Sequence, residues 1–97
     1  MALVVLSTNS FDRIAKKLHS KDKQVLDEAV REVVGNPAVG QEKRGDLAEV
    51  FVHKFKMNNQ ETLLAYELHP NKTKPDTLVL LALGPHENFY MQLRRTR

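Results

Sequence analysis

The sequence predicts an α+β domain: an N-terminal strand and an α-hairpin packed on an antiparallel sheet, in the order β-α-α-β-β-β, with a short C-terminal helix. Three observations predict it. Apolar residues recur at helical spacing from Phe11 to Val34. From Leu47 onward the pattern changes to extended, β-branched and aromatic segments. The connections between the last three of these segments are too short for a parallel crossover, so those strands form an antiparallel meander. A chain of 97 residues supports one domain, taken as residues 1–97.

The first element is the apolar run Ala2 to Leu6, rich in β-branched residues and too short for a helix, and it reads as a buried strand. Thr8, Asn9 and Ser10 are capping residues, and Phe11, Ile14, Ala15 and Leu18 then form the inner face of a first helix, which His19 ends. Ser20 and Asp22 mark a second cap. Val25, Leu26, Ala29, Val30, Val33 and Val34 form the stripe of a second helix, which Gly35-Asn36-Pro37 terminates. The short link makes the two helices an antiparallel hairpin. Residues 35–46 hold three glycines and one proline and read as a loop.

Leu47 to Met57 is the next strand. Strict alternation puts Phe51, His53 and Phe55 on one face and Val50, Val52, Lys54 and Lys56 on the other, so a bulge near His53 is expected to re-aim the lysines. Asn58-Asn59 is a hairpin turn and Glu61 to Leu68 the return strand. Pro70 to Asp76 is a polar loop. Thr77 to Leu83 is apolar on both faces and therefore central, and Gly84-Pro85 breaks it. His86 to Arg95 forms a final turn or short helix with Phe89 and Leu93 facing inward.

Composition narrows the function. The chain has no cysteine, which excludes a disulfide framework, a thiolate metal site and a cysteine nucleophile, and fits a reducing cytoplasm. No apolar run is long enough to span a bilayer, so no membrane partner is expected. There is no P-loop, no dinucleotide fingerprint and no His-Glu-x-x-His pattern. The four histidines are isolated from one another: His19 reads as structural and His69 as solvated, and no metal or other cofactor is expected. The net charge is +3, and its placement is uneven. Residues 1–40 carry six basic and five acidic residues, whereas the last ten carry Arg94, Arg95 and Arg97 and no acid.

One set of residues has the parts for RNA backbone cleavage. Arg44 precedes the second strand, Lys54 and Lys56 lie near its end, and His86 and Tyr90 follow the last strand. Cations neutralise phosphate, an imidazole moves a proton near neutral pH, and RNA brings its own nucleophile in the 2′-hydroxyl. Each residue also has a plainer reading. Lys54 and Lys56 serve equally as charges that protect a sheet edge. His86 serves as a turn or capping residue, Phe89 and Tyr90 as packing, and the arginine tail as a solvated terminus.

The stretch Gly45 to Lys56, then Leu63-Leu-Ala-Tyr66, then Leu83-Gly-Pro-His-Glu-Asn-Phe-Tyr90 with Leu93-Arg-Arg95, resembles the RelE/ParE superfamily of bacterial toxins, the toxin halves of type II toxin–antitoxin pairs. The resemblance covers nearly the whole chain, and the His86 to Tyr90 segment is its most specific part. It implies a helical hairpin, an antiparallel sheet and a C-terminal turn. In the RelE branch it implies metal-independent mRNA cleavage, usually at the ribosome, leaving a cyclic phosphate and a 5′-hydroxyl and so inhibiting translation. In the ParE branch it implies a non-catalytic inhibitor of DNA gyrase.

For this chain the resemblance to the RelE branch implies His86 as the proton-transfer residue, Tyr90 as the aromatic that stacks on or orients the substrate, and Lys54 and Lys56 as the lysines of the catalytic strand. Arg44, His53, Arg94 and Arg95 complete the expected RNA-binding set, and the implied partners are mRNA, the ribosome and a cognate antitoxin. One position departs from the pattern. Many ribonucleases of the superfamily carry an arginine on the last strand, where this chain has Ala82.

Overall fold

The computed structural model describes residues 3–85 and 89–96, without the side chains of Gln92 and Thr96. The elements are β1 (Val4–Ser7), α1 (Asn9–Lys16), α2 (Ser20–Gly35), β2 (Gln41–Glu42), β3 (Val50–Met57), β4 (Gln60–His69), β5 (Thr77–Pro85) and α3 (Phe89–Thr96). Single 3-10 turns at Pro37–Val39 and Gly45–Leu47 flank β2. Among the described residues the sheet has five strands in the order β1-β5-β4-β3-β2. The β3-β4-β5 meander is antiparallel throughout, as the short connections require. β1 joins β5 in parallel, and α1 and α2 lie in the connection that this pairing needs.

Local chemistry sets the helix ends. Thr8 is extended at the start of α1; its hydroxyl accepts from the Phe11 amide at 3.2 Å and donates to the Leu81 carbonyl at 2.8 Å, so one cap also fastens the helix to the sheet. α2 begins one residue after His19, which occupies its N-cap position without a side-chain capping bond rather than ending the first helix. The carboxylate of Asp22, buried in the first turn of α2, accepts from Asn58 Nδ2 at 2.9 Å. Asn58 and Asn59 both have left-handed φ, 56° and 61°, as a tight hairpin turn demands.

The sheet has two covered faces. On one, Phe51, Leu64, Tyr66, Leu68, Leu78 and Leu80 pack under Phe11 of α1 and Leu26 and Val33 of α2. On the other, Val50, Val52, Leu63, Ala65, Leu81 and Ala82 pack with Leu47 under Phe89 and Leu93 of α3. Val33, Leu63, Leu64 and Leu93 are completely buried, and each contributes about 1.5–3 kcal/mol of transfer free energy.

Three expectations are corrected. The first strand is not buried: Val4, Val5 and Leu6 are 57%, 41% and 52% exposed, because β1 is an edge strand with a neighbour on one side only. The bulge is not at His53. β3 pairs with β4 without interruption from Val50 to Met57, and the irregularity falls between β4 and β5 at Ala65/Tyr66, where Leu81 is the extra residue. The last strand does not break at Gly84-Pro85 but continues to its end, with Gly84 opposite Leu63 and Pro85 opposite Thr62. The proline sits at the strand's last position, where a missing amide costs least.

Candidate functional site

The regular β3-β4 register decides which side chains share a face. His53 lies with Phe51 and Phe55 on the helical face, and its ring stacks on Phe55 with centroids 6.1 Å apart. It is 8% exposed, and its Nε2 has no hydrogen-bond partner, since the nearest carboxylate, Glu32 of α2, is 3.7 Å away. His53 is therefore set apart from the other residues of the expected RNA-binding set. Strand alternation puts it beneath α2, on the opposite face from Lys54 and Lys56.

Lys54 and Lys56 are exposed and stand on the α3 face with Val50 and Val52. β3 and β5 run in the same direction on either side of β4, so their ends lie at the same edge of the sheet. One row runs from Lys54 through Leu63 to Gly84, two strand spacings or about 10 Å. The neighbouring row pairs Lys56 with Glu61. His86 lies outside the described residues.

Tyr90 reaches the same face from the first turn of α3. It packs against the apolar cluster of that face, and its ring stands nearly perpendicular to that of Phe89, at 87° with centroids 5.4 Å apart. The ammonium of Lys43 sits 5.3 Å from its ring centroid. The Lys43 amide donates to the Val50 carbonyl at 2.8 Å, extending the short β2 ladder, and its Nζ donates to Gln41 Oε1 at 3.3 Å. Further along α3, Arg94 Nε bonds Asp46 Oδ2 at 2.8 Å across an exposed surface. Arg95 is exposed, with its guanidinium 3.9 Å from Met91 Sδ.

Arg44 lies elsewhere. It precedes the Gly45–Leu47 turn, at the end of the sheet where β3 begins, and lines a depression of about 420 Å³ with Lys43, Glu49 and Lys72. Lys56 is six residues along β3 from Val50, about 20 Å. The structure thus gathers Lys54 and Lys56 near the end of β5 and separates Arg44 from them.

Two residues here carry no sequence signal of their own. Lys43 is one of several bases in a loop, and only the β2-β3 pairing aims it at Tyr90. Tyr66 enters the sequence only as the end of the Leu63–Tyr66 stretch, with no role attached. Its hydroxyl donates to the Pro37 carbonyl at 2.6 Å and accepts from the Gly40 amide at 3.0 Å, which fixes the loop entering β2. Burial pushes the Tyr66 phenol above its ordinary value, partly opposed by the Gly40 bond. Ala82 is buried opposite Ala65, so it offers no charge to this face. Among the described residues no three His, Asp or Glu side chains cluster as metal ligands, and no helix is long and apolar enough to cross a membrane.

A family model described as the ParE-like toxin of type II bacterial toxin–antitoxin systems matches residues 5–94. No curated protein sequence matches significantly. Among solved structures, a double arginine-to-alanine variant of the Escherichia coli toxin RelE in the free state is similar at TM-score 0.70 and 19% identity, over 98% of this chain and 97% of that one. The Mycobacterium tuberculosis RelBE2 toxin–antitoxin complex contains a chain similar at TM-score 0.64 and 21% identity, over 89% of this chain and 100% of that one. The intact E. coli RelBE complex contains another, at TM-score 0.65 and 17% identity, over 89% and 99%. At these identities the likeness establishes the fold.

Proposed function

The chain belongs to the ParE-like toxins of type II bacterial toxin–antitoxin systems, and from that premise we propose that it is a metal-independent mRNA endonuclease that stops translation. The observation that carries this reading is the exposure of Lys54 and Lys56 on the α3 face, at the edge of the sheet where β5 ends. In the proposed reaction the 2′-hydroxyl attacks the adjacent phosphorus and the bond to the 5′-oxygen breaks. The products are a cyclic phosphate and a 5′-hydroxyl. Lys54 and Lys56 stabilise the charge that builds on the phosphate oxygens, Tyr90 orients the neighbouring base, and His86 transfers the proton. Arg94 and Arg95 extend the positive surface along α3. No protein nucleophile is required.

A cognate antitoxin is the expected regulatory partner, since the similar RelE-fold chains in two of the solved structures are bound in toxin–antitoxin complexes. A segment that covers the basic face both blocks it and neutralises its charge. The name of the matching family favours a second reading, gyrase inhibition, and Ala82 in place of a last-strand arginine is consistent with it.

Induction of the chain without its antitoxin separates the two. The nuclease reading expects protein synthesis to fall first and cleaved mRNA to carry 5′-hydroxyl ends. DNA damage preceding any translation defect, with intact mRNA, sinks it. Within the nuclease reading, His86→Ala should lower cleavage by about two to four powers of ten.

A further inference from the structure

We propose that Lys43 is a positioning residue for Tyr90, holding the ring in the orientation in which it meets the RNA base; this rests on the nuclease reading above. Two neighbours contact the ring. The Phe89 ring lies nearly perpendicular to it with centroids 5.4 Å apart, and the Lys43 ammonium lies 5.3 Å from its centroid, within the range of a cation–π contact. Lys43 is itself fixed. Its amide is held by the Val50 carbonyl at 2.8 Å, and its ammonium is shared with Gln41 Oε1 at 3.3 Å, so the side chain is directed along the sheet toward α3. The Arg94–Asp46 pair at 2.8 Å fastens the far end of the same helix to the turn that follows Lys43. The segment 43–46 therefore holds α3 at two points, and the first of them is the ring expected to read the base.

A base that lies against Tyr90 shares the ring with the ammonium, which then stands beside the base or its phosphate. Lys43 acts through Tyr90, so removing either member should remove most of what the pair does. A lysine that simply touched phosphate would act independently of Tyr90.

The test is a double-mutant cycle on the full chain with Lys43→Met, Tyr90→Leu and the double variant. Two quantities are read: binding of a single-stranded RNA oligonucleotide carrying 2′-O-methyl groups, which cannot be cleaved, and thermal unfolding. Lys43→Met should weaken RNA binding about threefold to fivefold in the parent and less than about twofold in the Tyr90→Leu background. Lys43→Arg, which preserves the cation over the ring, should bind within about twofold of the parent. Equal losses in both backgrounds overturn the proposal and make Lys43 an independent phosphate contact. A change in unfolding temperature with no change in RNA binding also overturns it, leaving Lys43 as structural support for α3. If the parent binds no RNA at all, the nuclease reading falls, and the positioning role falls with it.

Discussion

Tyr66 shows how one side chain fixes the loop that leads into β2. Its hydroxyl satisfies both the Pro37 carbonyl and the Gly40 amide, and a Cβ at Gly40 would lie 2.6 Å from that oxygen. Tyr66→Phe leaves those two backbone groups unpaired in a largely buried position and should cost about 1–3 kcal/mol in denaturant unfolding. The sign of its pH dependence follows from the raised phenol. The folded state prefers the neutral form, so the stabilisation is complete below the unfolded-state value near 10 and is lost as pH rises through the higher folded value. Unfolding free energy should therefore fall above about pH 10 in the parent and fall less in Tyr66→Phe. An identical alkaline profile in the two proteins would remove Tyr66 as the cause. His53 teaches the opposite lesson. Its residue type points to chemistry, yet the strand period places it under α2, where its ring packs on Phe55.

Among the elements, those with strong periodicity were the legible ones. The stripe from Val25 to Val34 does become the inner face of α2, and Asn58-Asn59 does form the turn between β3 and β4. β1 is not legible as an edge strand, because an apolar run looks the same whether its neighbours cover it or leave it at an edge, and that depends on a pairing with residues more than seventy positions away. The position of the bulge is hidden for a related reason. Lys54 and Lys56 on an otherwise apolar face suggest an irregularity, whereas exposed lysines at the end of β3 need none. The extra residue, Leu81, lies in an unbroken apolar run that gives no sign of it. At the same scale, β5 offers a test of the missing arginine. Gly84 shares a row with Lys54, and among the described residues a Cβ there meets only Phe89 Cδ1, at an ordinary 3.8 Å. Gly84→Arg should therefore fold and should raise cleavage of single-stranded RNA about tenfold or more, by adding a guanidinium beside the lysines. A well-folded variant with unchanged cleavage would mean that this row does not face the scissile phosphate.

Seen whole, the molecule divides its labour between two faces. The helical face carries most of the core, with Tyr66, Phe51 and Phe11 among its largest members. The α3 face combines a smaller apolar core with Lys43, Lys54, Lys56 and Arg94. The net charge of +3 gives only a mild preference for anions, so the proposed RNA contact depends more on the arrangement of charge than on its total. That contrast makes salt dependence informative. Each phosphate neutralised on a single strand contributes about −0.7 to the slope of log K against log salt concentration. The direct comparison is between Lys54→Ala/Lys56→Ala, on the α3 face, and Lys16→Ala/Lys17→Ala, at the exposed end of α1. Measured by titration of the same RNA oligonucleotide across a salt series, the first pair should flatten the slope by about 1.4 and abolish cleavage, while the second leaves both near parental values. Equal losses from the two pairs, or a slope unchanged by removing Lys54 and Lys56, would contradict the assignment of RNA to the α3 face.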